Sequence, residues 1–184
     1  MTQTDDTDDG RLLLGVSGWV EAPWIADDFP QDLPADWRFA FYANEAGCLL
    51  LRAADWAALA PATLAEWVEE APAWFRFYLE WPADAGAQGA ACLEALGPRL
   101  GGVLPAPGTA VPAGVRGWRA QDPGVWADAQ GRLLLRWHLA GADARALRTR
   151  LEGLPAEVEA LTIEDAGPAR LGELRTLAEL LGVA

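Results

Sequence analysis

Ionisable side chains stand directly after several apolar segments of the chain, at the positions where buried parallel strands would end. Three of them are Glu80, His138 and Glu164, and Asp165 follows next along the chain. Two carboxylates and an imidazole are groups that general acid–base hydrolysis uses. We therefore predict Glu80, His138 and Glu164 as candidate catalytic residues, with Asp165 as an alternative partner for Glu80. The competing and favoured interpretation is that these are solvated strand ends in a chain rich in acids.

A second set of residues at the same predicted ends suits ligand binding: Trp19, Arg52, Trp81 and Arg119. Arg52 and Arg119 have the planar guanidinium that grips a carboxylate or phosphate bidentately. The competing interpretation is that both arginines form salt bridges with the surplus acids. The chain has ten tryptophans, which either fill an aromatic core or line a groove.

Several chemistries are excluded by residues that the chain lacks. His138 is the only histidine and Cys48 and Cys92 are the only cysteines, so a multi-histidine metal site or a structural zinc site cannot form. The sequence contains no lysine, which rules out Schiff-base catalysis and the phosphate-loop lysine. No cofactor or metal is therefore expected, and both cysteines are expected to be buried reduced thiols.

The overall charge limits the partners of the protein. The formal net charge is −13 and the pI is near 4.4. A phosphate backbone would be repelled over most of such a surface, so nucleic-acid binding is disfavoured. The first ten residues do not have the pattern of a signal peptide, and no run of 18 apolar residues suggests a membrane span. A cytoplasmic location without membrane attachment is expected.

The clearest structural pattern lies in residues 46–82. Residues 48–51 form a continuous apolar run, which is typical of a strand buried on both faces. Thr63 and Glu66 have the spacing of a capping box at the start of a helix, and Pro72 ends that helix. Residues 74–79 are aromatic and favour a strand. This order predicts a strand–helix–strand unit with parallel strands.

The rest of the chain continues the alternation of strands and helices. The predicted strands lie at residues 12–16, 48–51, 74–79, 101–104, 114–119, 133–137 and 158–163. The further predicted helices lie at residues 36–45, 90–96, 143–152 and 169–181, and residues 20–35 and 121–131 are predicted as loop and turns.

Seven largely apolar strands in fewer than 185 residues, with some helices replaced by loops, predict an α/β fold with mostly parallel strands. We predict a small or incomplete (β/α) barrel of the TIM-barrel type, and an open doubly wound sheet is the alternative. Residues 1–10 are predicted to be a disordered acidic tail, and residues 11–184 a single domain.

The order of short phrases along the chain resembles the YecE-like family, domain of unknown function 72. The phrases are Gly-Val-Ser-Gly-Trp at residues 15–19, Phe-Pro-Gln-Asp-Leu-Pro at 29–34, Tyr-Ala at 42–43, Trp67 with Pro-Ala-Trp-Phe-Arg-Phe at 72–77, and Leu-Gly-Pro-Arg-Leu-Gly-Gly-Val-Leu-Pro at 96–105. Trp118, Arg119 and Trp126 resemble a later phrase of the family. The resemblance implies a barrel-like α/β fold and supplies no activity.

The chain departs from that family at the strand ends, where chemistry would be expected. Leu50 stands where the family has an acid, Arg52 where it has an amide, and Glu80 where it has a lysine. The resemblance therefore implies a divergent, shortened relative whose ancestral site has been rebuilt or lost.

Two functions follow from these observations. The favoured one is a non-catalytic binding or interaction protein on a degenerate barrel, with self-association or a protein partner covering exposed sheet edges or apolar faces. The alternative is a hydrolase-like enzyme that uses Glu80, Glu164 and His138.

Overall fold

The strands of the protein form a single sheet. A computed structural model describes residues 11–20, 22, 29–30 and 32–183 of the chain. The strands in these residues are β1 (Leu13–Ser17), β2 (Cys48–Leu51), β3 (Arg76–Trp81), β4 (Leu100–Pro105), β5 (Arg119–Asp122), β6 (Val125–Ala127), β7 (Leu133–Trp137) and β8 (Val158–Ile163). Their order in the sheet is β4-β3-β2-β1-β8-β7-β6-β5.

Helices connect most of the strands. They are α1 (Arg38–Glu45), α2 (Ala53–Ala58), α3 (Pro61–Glu70), α4 (Gly86–Leu96), α5 (Ala144–Glu152) and α6 (Pro168–Leu181), with single 3₁₀ turns at Ala35–Trp37 and Gly97–Arg99. No helix follows β4, β5 or β6 within the described residues. Part of the usual outer layer of a (β/α) barrel is therefore missing beside these strands.

The sheet curls into a nearly closed barrel. Val103 of β4 forms a parallel bridge to Gly117, just before β5, through backbone hydrogen bonds of 2.9 Å to the Arg116 carbonyl and 2.8 Å from the Trp118 N–H. β6 runs antiparallel to β5 and β7, while β7, β8, β1, β2, β3 and β4 pair in parallel. The carboxyl ends of these parallel strands therefore lie at one rim, which we call the carboxyl rim.

Two apolar cores flank the sheet. The larger lies between strands and helices and contains an aromatic group of Trp19, Phe29, Phe39, Tyr42, Trp67, Phe75 and Phe77. The smaller fills the barrel interior with Leu13, Cys48, Leu50, Tyr78, Leu104, Trp118, Leu134 and Ala160. The abundance of tryptophan is partly explained by this packing, because large aromatic side chains contribute much of the buried area of a core.

Two glycines permit close approach of strands. A Cβ on Gly15 would lie 2.0 Å from the Cys48 carbonyl oxygen, so β1 and β2 pair closely only because Gly15 lacks one. Gly102 has φ +136°, and a Cβ there would lie 2.6 Å from Nε1 of Trp118 and 2.7 Å from the Arg116 carbonyl oxygen. Closure of the barrel beside β4 therefore requires glycine at position 102.

The predicted fold class is confirmed, and the open doubly wound alternative is wrong because the bridge at Val103 joins the two sides of the sheet. Strands at residues 48–51, 133–137 and 158–163 are found with the predicted bounds. The strand predicted at 74–79 begins two residues later, and the helix predicted at 90–96 begins four residues earlier at Gly86.

Three predictions about local structure are wrong. The capping box of Thr63 and Glu66 does not start its helix, because Pro61 occupies the first helical turn, where its missing N–H is no loss. A separate short helix, α2, precedes it. The strand predicted at 114–119 is a turn and a single bridge, and the regular strand β5 begins only at Arg119, followed by the unpredicted β6.

Some further predictions concern residues that lie wholly or partly outside the described part of the chain. The acidic tail at residues 1–10 falls there, as does half of the loop predicted at 20–35. Both cysteines are buried and unpaired with each other, Cys48 in β2 and Cys92 in α4, as expected. A search of the described residues finds no helix long and apolar enough to cross a membrane.

Candidate functional site

The carboxyl rim gathers charged residues from four neighbouring parts of the sheet. Glu80 is in β3, Arg136 is in β7, Arg52 directly follows β2, and Glu164 directly follows β8. The strands are largely apolar. Each of these four side chains is the charged group at the carboxyl end of its strand. Parallel pairing brings all four to one end of the barrel.

These four side chains form one chain of ion pairs with alternating charge. Nη2 of Arg52 lies 3.0 Å from Oε2 of Glu164, and Nη1 of Arg136 lies 2.8 Å from Oε1 of Glu80. Nε of Arg136 donates to the other oxygen of Glu164. We call this set the rim network. Its two arginines and two glutamates balance in formal charge.

The rim network stabilises the ionised form of its acids. Burial alone would raise the pKa of Glu164, but the hydrogen bond and charge of Arg136, with the charge of Arg52, hold that pKa below its ordinary value. Burial likewise opposes the charge of Arg136, yet its bonds to Glu164 and Glu80 raise the pKa of the guanidinium. Glu164 is therefore held as a carboxylate, which does not suit a general acid.

Helix α2 orients the network from the side. Oδ2 of Asp55 accepts from the Arg52 N–H at 2.8 Å and Oδ1 accepts from the Val20 N–H at 2.8 Å. Nε1 of Trp56 donates to the Glu80 carbonyl at 2.9 Å. These bonds hold the backbone at Arg52 and Glu80 in place, so the positions from which their charged side chains extend are fixed.

A pocket of about 850 Å³ opens beside the rim network. It is lined by Ala53, Glu80, Trp81, Pro82, Leu104, Pro105, Ala106, Pro107, Gly108, Thr109, Ala110, Arg119, Ala120, Trp126 and Arg136. Most of these residues are apolar, and the charged ones are Glu80, Arg119 and Arg136. This size and composition are typical of small-molecule sites.

Two tryptophan rings and an arginine without an ion-pair partner among the described residues line the pocket. The Arg136 guanidinium carbon lies 5.1 Å from the ring centroid of Trp126, a cation–π distance. Trp81 stacks on Trp56 with centroids 5.9 Å apart, so its ring is held in place. Within the described chain, Arg119 forms no side-chain ion pair.

The structure brings together two of the three predicted catalytic residues. Glu80 and Glu164 are both bonded to Arg136, which separates their carboxylates. The His138 side chain is 75% exposed, and its Nδ1 lies 3.9 Å from Oδ2 of Asp165, outside the rim network. Asp165 accepts from the Leu139 and Ala140 N–H groups at 2.7 and 2.9 Å, so its oxygens cap a turn.

The four predicted ligand-binding residues are divided between three environments. Trp81 and Arg119 line the pocket. Arg52 belongs to the rim network, as the salt-bridge interpretation expects. Trp19 is buried between sheet and helices, with its ring 5.3 Å from Tyr42 and 5.4 Å from Trp67, and it does not line the pocket.

Sequence reasoning missed Arg136 and did not assign Trp126 to the site. Arg136 carries a signal in the sequence, since it is the one charge inside the apolar segment at residues 133–137. A charged residue there must find partners, because an unpaired buried charge is costly. Trp126 carries little signal, because β6 is three residues long and follows a turn.

The opposite end of the barrel holds a second charged cluster of Arg116, Asp128, Arg132 and Glu159. Arg116 binds both oxygens of Glu159 at 2.7 Å and Oδ2 of Asp128 at 2.6 Å. Its guanidinium carbon lies 4.0 Å from the ring centroid of Trp118, inside the barrel. The arginines and acids form ion pairs with one another, and the cluster closes this end of the barrel interior.

The described residues offer little to a metal ion. No group of three or more His, Cys, Asp or Glu side chains with suitable placement occurs among them. The acids of the rim network are already bonded to arginines, whose charge would repel a cation.

The comparison with family models agrees with the fold and the phrases along the chain. Residues 13–97 match the model described as "Protein of unknown function DUF72", and the match ends just before β4. Over this stretch, which is a little less than half of the chain, the sequence is similar to the DUF72 family. No curated protein and no solved structure matches the chain significantly.

The DUF72 match covers β1, β2 and β3 but not β7 and β8. Arg52 and Glu80 of the rim network are inside the matched stretch, whereas Arg136 and Glu164 are outside it. The pocket is likewise built from both parts, since Arg119 and Trp126 lie beyond residue 97. The family description names no activity, so the site must be interpreted from its own geometry.

Proposed function

We propose that this protein is a non-catalytic binding protein that holds a small organic molecule in the pocket at the carboxyl rim. The observation that carries the proposal is the pocket of about 850 Å³ beside a fully paired rim network. Small-molecule sites commonly lie at this end of barrels of this class, on a rigid support.

The pairing of the carboxylates favours binding over catalysis. A general acid or base must exchange a proton with the substrate, so it needs a free lone pair or proton at the substrate. Both carboxylates of the rim network instead accept hydrogen bonds from Arg136, and Glu164 is only 11% exposed. Their geometry serves to hold Arg136 and Trp126 in place.

The hydrolase-like alternative remains a prediction with less support. Glu80 does line the pocket and its side chain is 31% exposed, so it is the acid best placed to meet a substrate. His138 does not line the pocket, so a general base of that kind would have to come from elsewhere. Replacing Glu80 with Gln distinguishes the two functions, because it abolishes turnover in an enzyme and only weakens a binding site.

The proposal is tested by screening a fragment library against the full chain with saturation-transfer NMR. The pocket variant is Trp126→Ala, which removes one wall. The matched control is Trp74→Ala, an exposed tryptophan that precedes β3 at the other end of the barrel. We expect hits that lose their signal in the Trp126 variant and keep it in the Trp74 variant. No hits, or hits insensitive to Trp126, would contradict the proposal.

We also propose self-association or a protein partner, together with the cytoplasmic location expected above. Near closure of the barrel removes much of the open sheet edge that first suggested a partner. Support now comes from exposed apolar side chains, of which Trp37 at 64% and Leu180 at 78% are the most accessible described. Analytical ultracentrifugation of the wild type and of a Trp37→Ser, Leu180→Ser variant tests the first part: a lone monomer in both would contradict self-association.

A further inference from the structure

The charges around the pocket identify the class of its ligand. Arg52, Arg136, Glu80 and Glu164 neutralise one another within the rim network. Arg119 is then the lining cation that has no acid partner in the described part of the chain. The lining therefore has an excess of one positive charge, which one negative charge on a ligand would balance.

The segment of residues 105–109 offers few free N–H groups to a phosphate. Phosphate sites use several free N–H groups that converge on one point. Pro105 at the end of β4 and Pro107 in the loop that follows have no N–H. The Ala106 N–H donates to the Trp81 carbonyl at 2.9 Å, and the Thr109 N–H donates to the Ala106 carbonyl at 2.9 Å. Positions 105, 106, 107 and 109 therefore offer no free N–H to a phosphate.

The apolar residues of the lining indicate which kind of uncharged group on a ligand would fit the pocket. Trp81, Trp126 and Leu104, with three prolines, form the apolar part of the wall. A flat apolar group buries well against such a surface, because aromatic rings provide large areas for stacking. Glu80 also faces the pocket, and it would repel the additional charge of a dianion.

Resting on the proposed function, we propose that the pocket binds aromatic monocarboxylates, with Arg119 as the anchor of the carboxylate and Trp126 as a wall for the ring. The guanidinium of Arg119 provides two parallel N–H donors that match a carboxylate. The formal charge of −13 adds to the preference, because a long-range negative field disfavours polyanions more than monoanions.

Isothermal titration calorimetry on the full chain tests this with matched probes. The probes are phenylacetate, indole-3-acetate and 2-naphthoate, their primary amides, and phenyl phosphate. The variants are Arg119→Gln and, as a matched control, Arg145→Gln on the exposed face of α5. An ion-paired carboxylate is expected to raise affinity over the amide about tenfold or more.

We expect at least one carboxylate to bind about tenfold more tightly than its amide, to lose that advantage in Arg119→Gln, and to keep it in Arg145→Gln. Amides that bind as well as the carboxylates, or phenyl phosphate that binds more tightly than all of them, would overturn the ligand class while leaving the pocket as a binding site. A carboxylate preference that survives in Arg119→Gln would overturn the role of Arg119. If neither these probes nor any library fragment binds, the proposed function fails as well.

Discussion

Arg136 in β7 donates to Glu80 in β3 at 2.8 Å, across the mouth of the barrel. The two strands are not neighbours in the sheet, so this bond spans the barrel end. The same guanidinium also donates to Glu164, and a single arginine thus holds two carboxylates that would otherwise repel each other. Acids at strand ends suggest catalysis in the sequence, and in the structure both of these acids are paired with Arg136.

Replacing Arg136 should destabilise the protein more than replacing either of its partners. Arg136→Met leaves Glu80 and Glu164 without their common cation, and breaking a buried pair from one side costs about 3 kcal/mol. Glu80→Gln keeps a hydrogen-bond acceptor at a half-exposed site and should cost about 1 kcal/mol. Urea unfolding of Arg136→Met, of Glu80→Gln and of the variant that carries both substitutions measures these free energies. Equal costs for the two variants would show that the network is not held by Arg136.

The cluster of Arg116, Asp128, Arg132 and Glu159 at the opposite end of the barrel should make the stability of the protein depend on pH in the acidic range. Burial alone would raise the pKa of Asp128, but the Arg132 N–H and the Arg116 guanidinium hold it below its ordinary value of 3.8. A folded pKa below the unfolded one stabilises the protein above the unfolded pKa, and this gain is lost as the pH falls through the folded pKa. The melting temperature should therefore decrease as the pH is lowered below 3.8.

Asp128→Asn removes this dependence on pH and identifies its source. At neutral pH the variant should be less stable by about 3 kcal/mol, because Arg116 loses a buried partner. The difference from wild type should shrink as the pH falls below 3.8. Asp84→Asn, at an exposed position, is the control and should follow the wild-type curve. A constant difference at all pH values would contradict the assignment.

Gly102 should not tolerate a side chain. Gly102→Ala places a Cβ 2.6 Å from Nε1 of Trp118 at φ +136°, so overpacking and backbone strain add to at least about 3 kcal/mol. Gly172→Ala in α6 is the control: nothing lies within 4 Å of its Cβ, and alanine favours a helix by about 0.5–1 kcal/mol. Thermal unfolding of both variants checks the contrast. A stable Gly102→Ala protein would argue against closure of the barrel between Val103 and Gly117.

His138→Ala should leave both stability and ligand binding unchanged. Its side chain is 75% exposed and does not line the pocket, so the change in unfolding free energy should be within about 0.5 kcal/mol. Chemical denaturation and the calorimetric assay with the carboxylate probes measure the two properties. Binding or turnover that is lost with His138 would revive the catalytic alternative.

The sequence predicts the six parallel strands of the barrel well and the β5–β6 part poorly. Apolar runs such as residues 133–137 define strands because both of their faces are buried. β5 is polar and exposed along its length, so it has no periodic pattern to detect. Pro61 shows the same limit for helices, since a familiar capping pattern two residues later gave the wrong start.

The sequence predicts which charged side chains lie near one another at the rim, but not how they pair. The rule that strand ends carry sites predicts that Glu80, Arg52 and Glu164 lie at one rim, and the structure brings their side chains together there. Which charges pair depends on distances across the barrel, and these follow from closure rather than from local pattern. Arg136 therefore became visible as the centre of the network only in three dimensions.

The most direct test of the binding site is a ¹H–¹⁵N titration that follows the indole N–H signals of the tryptophans as a bound aromatic monocarboxylate is added. We expect progressive shifts of the signals of Trp126 and Trp81, two residues that line the pocket, while the signals of Trp37 and Trp74 stay unchanged. Shifts confined to Trp37 or Trp74, or no shift at Trp126 up to saturation, would contradict a binding site at the carboxyl rim.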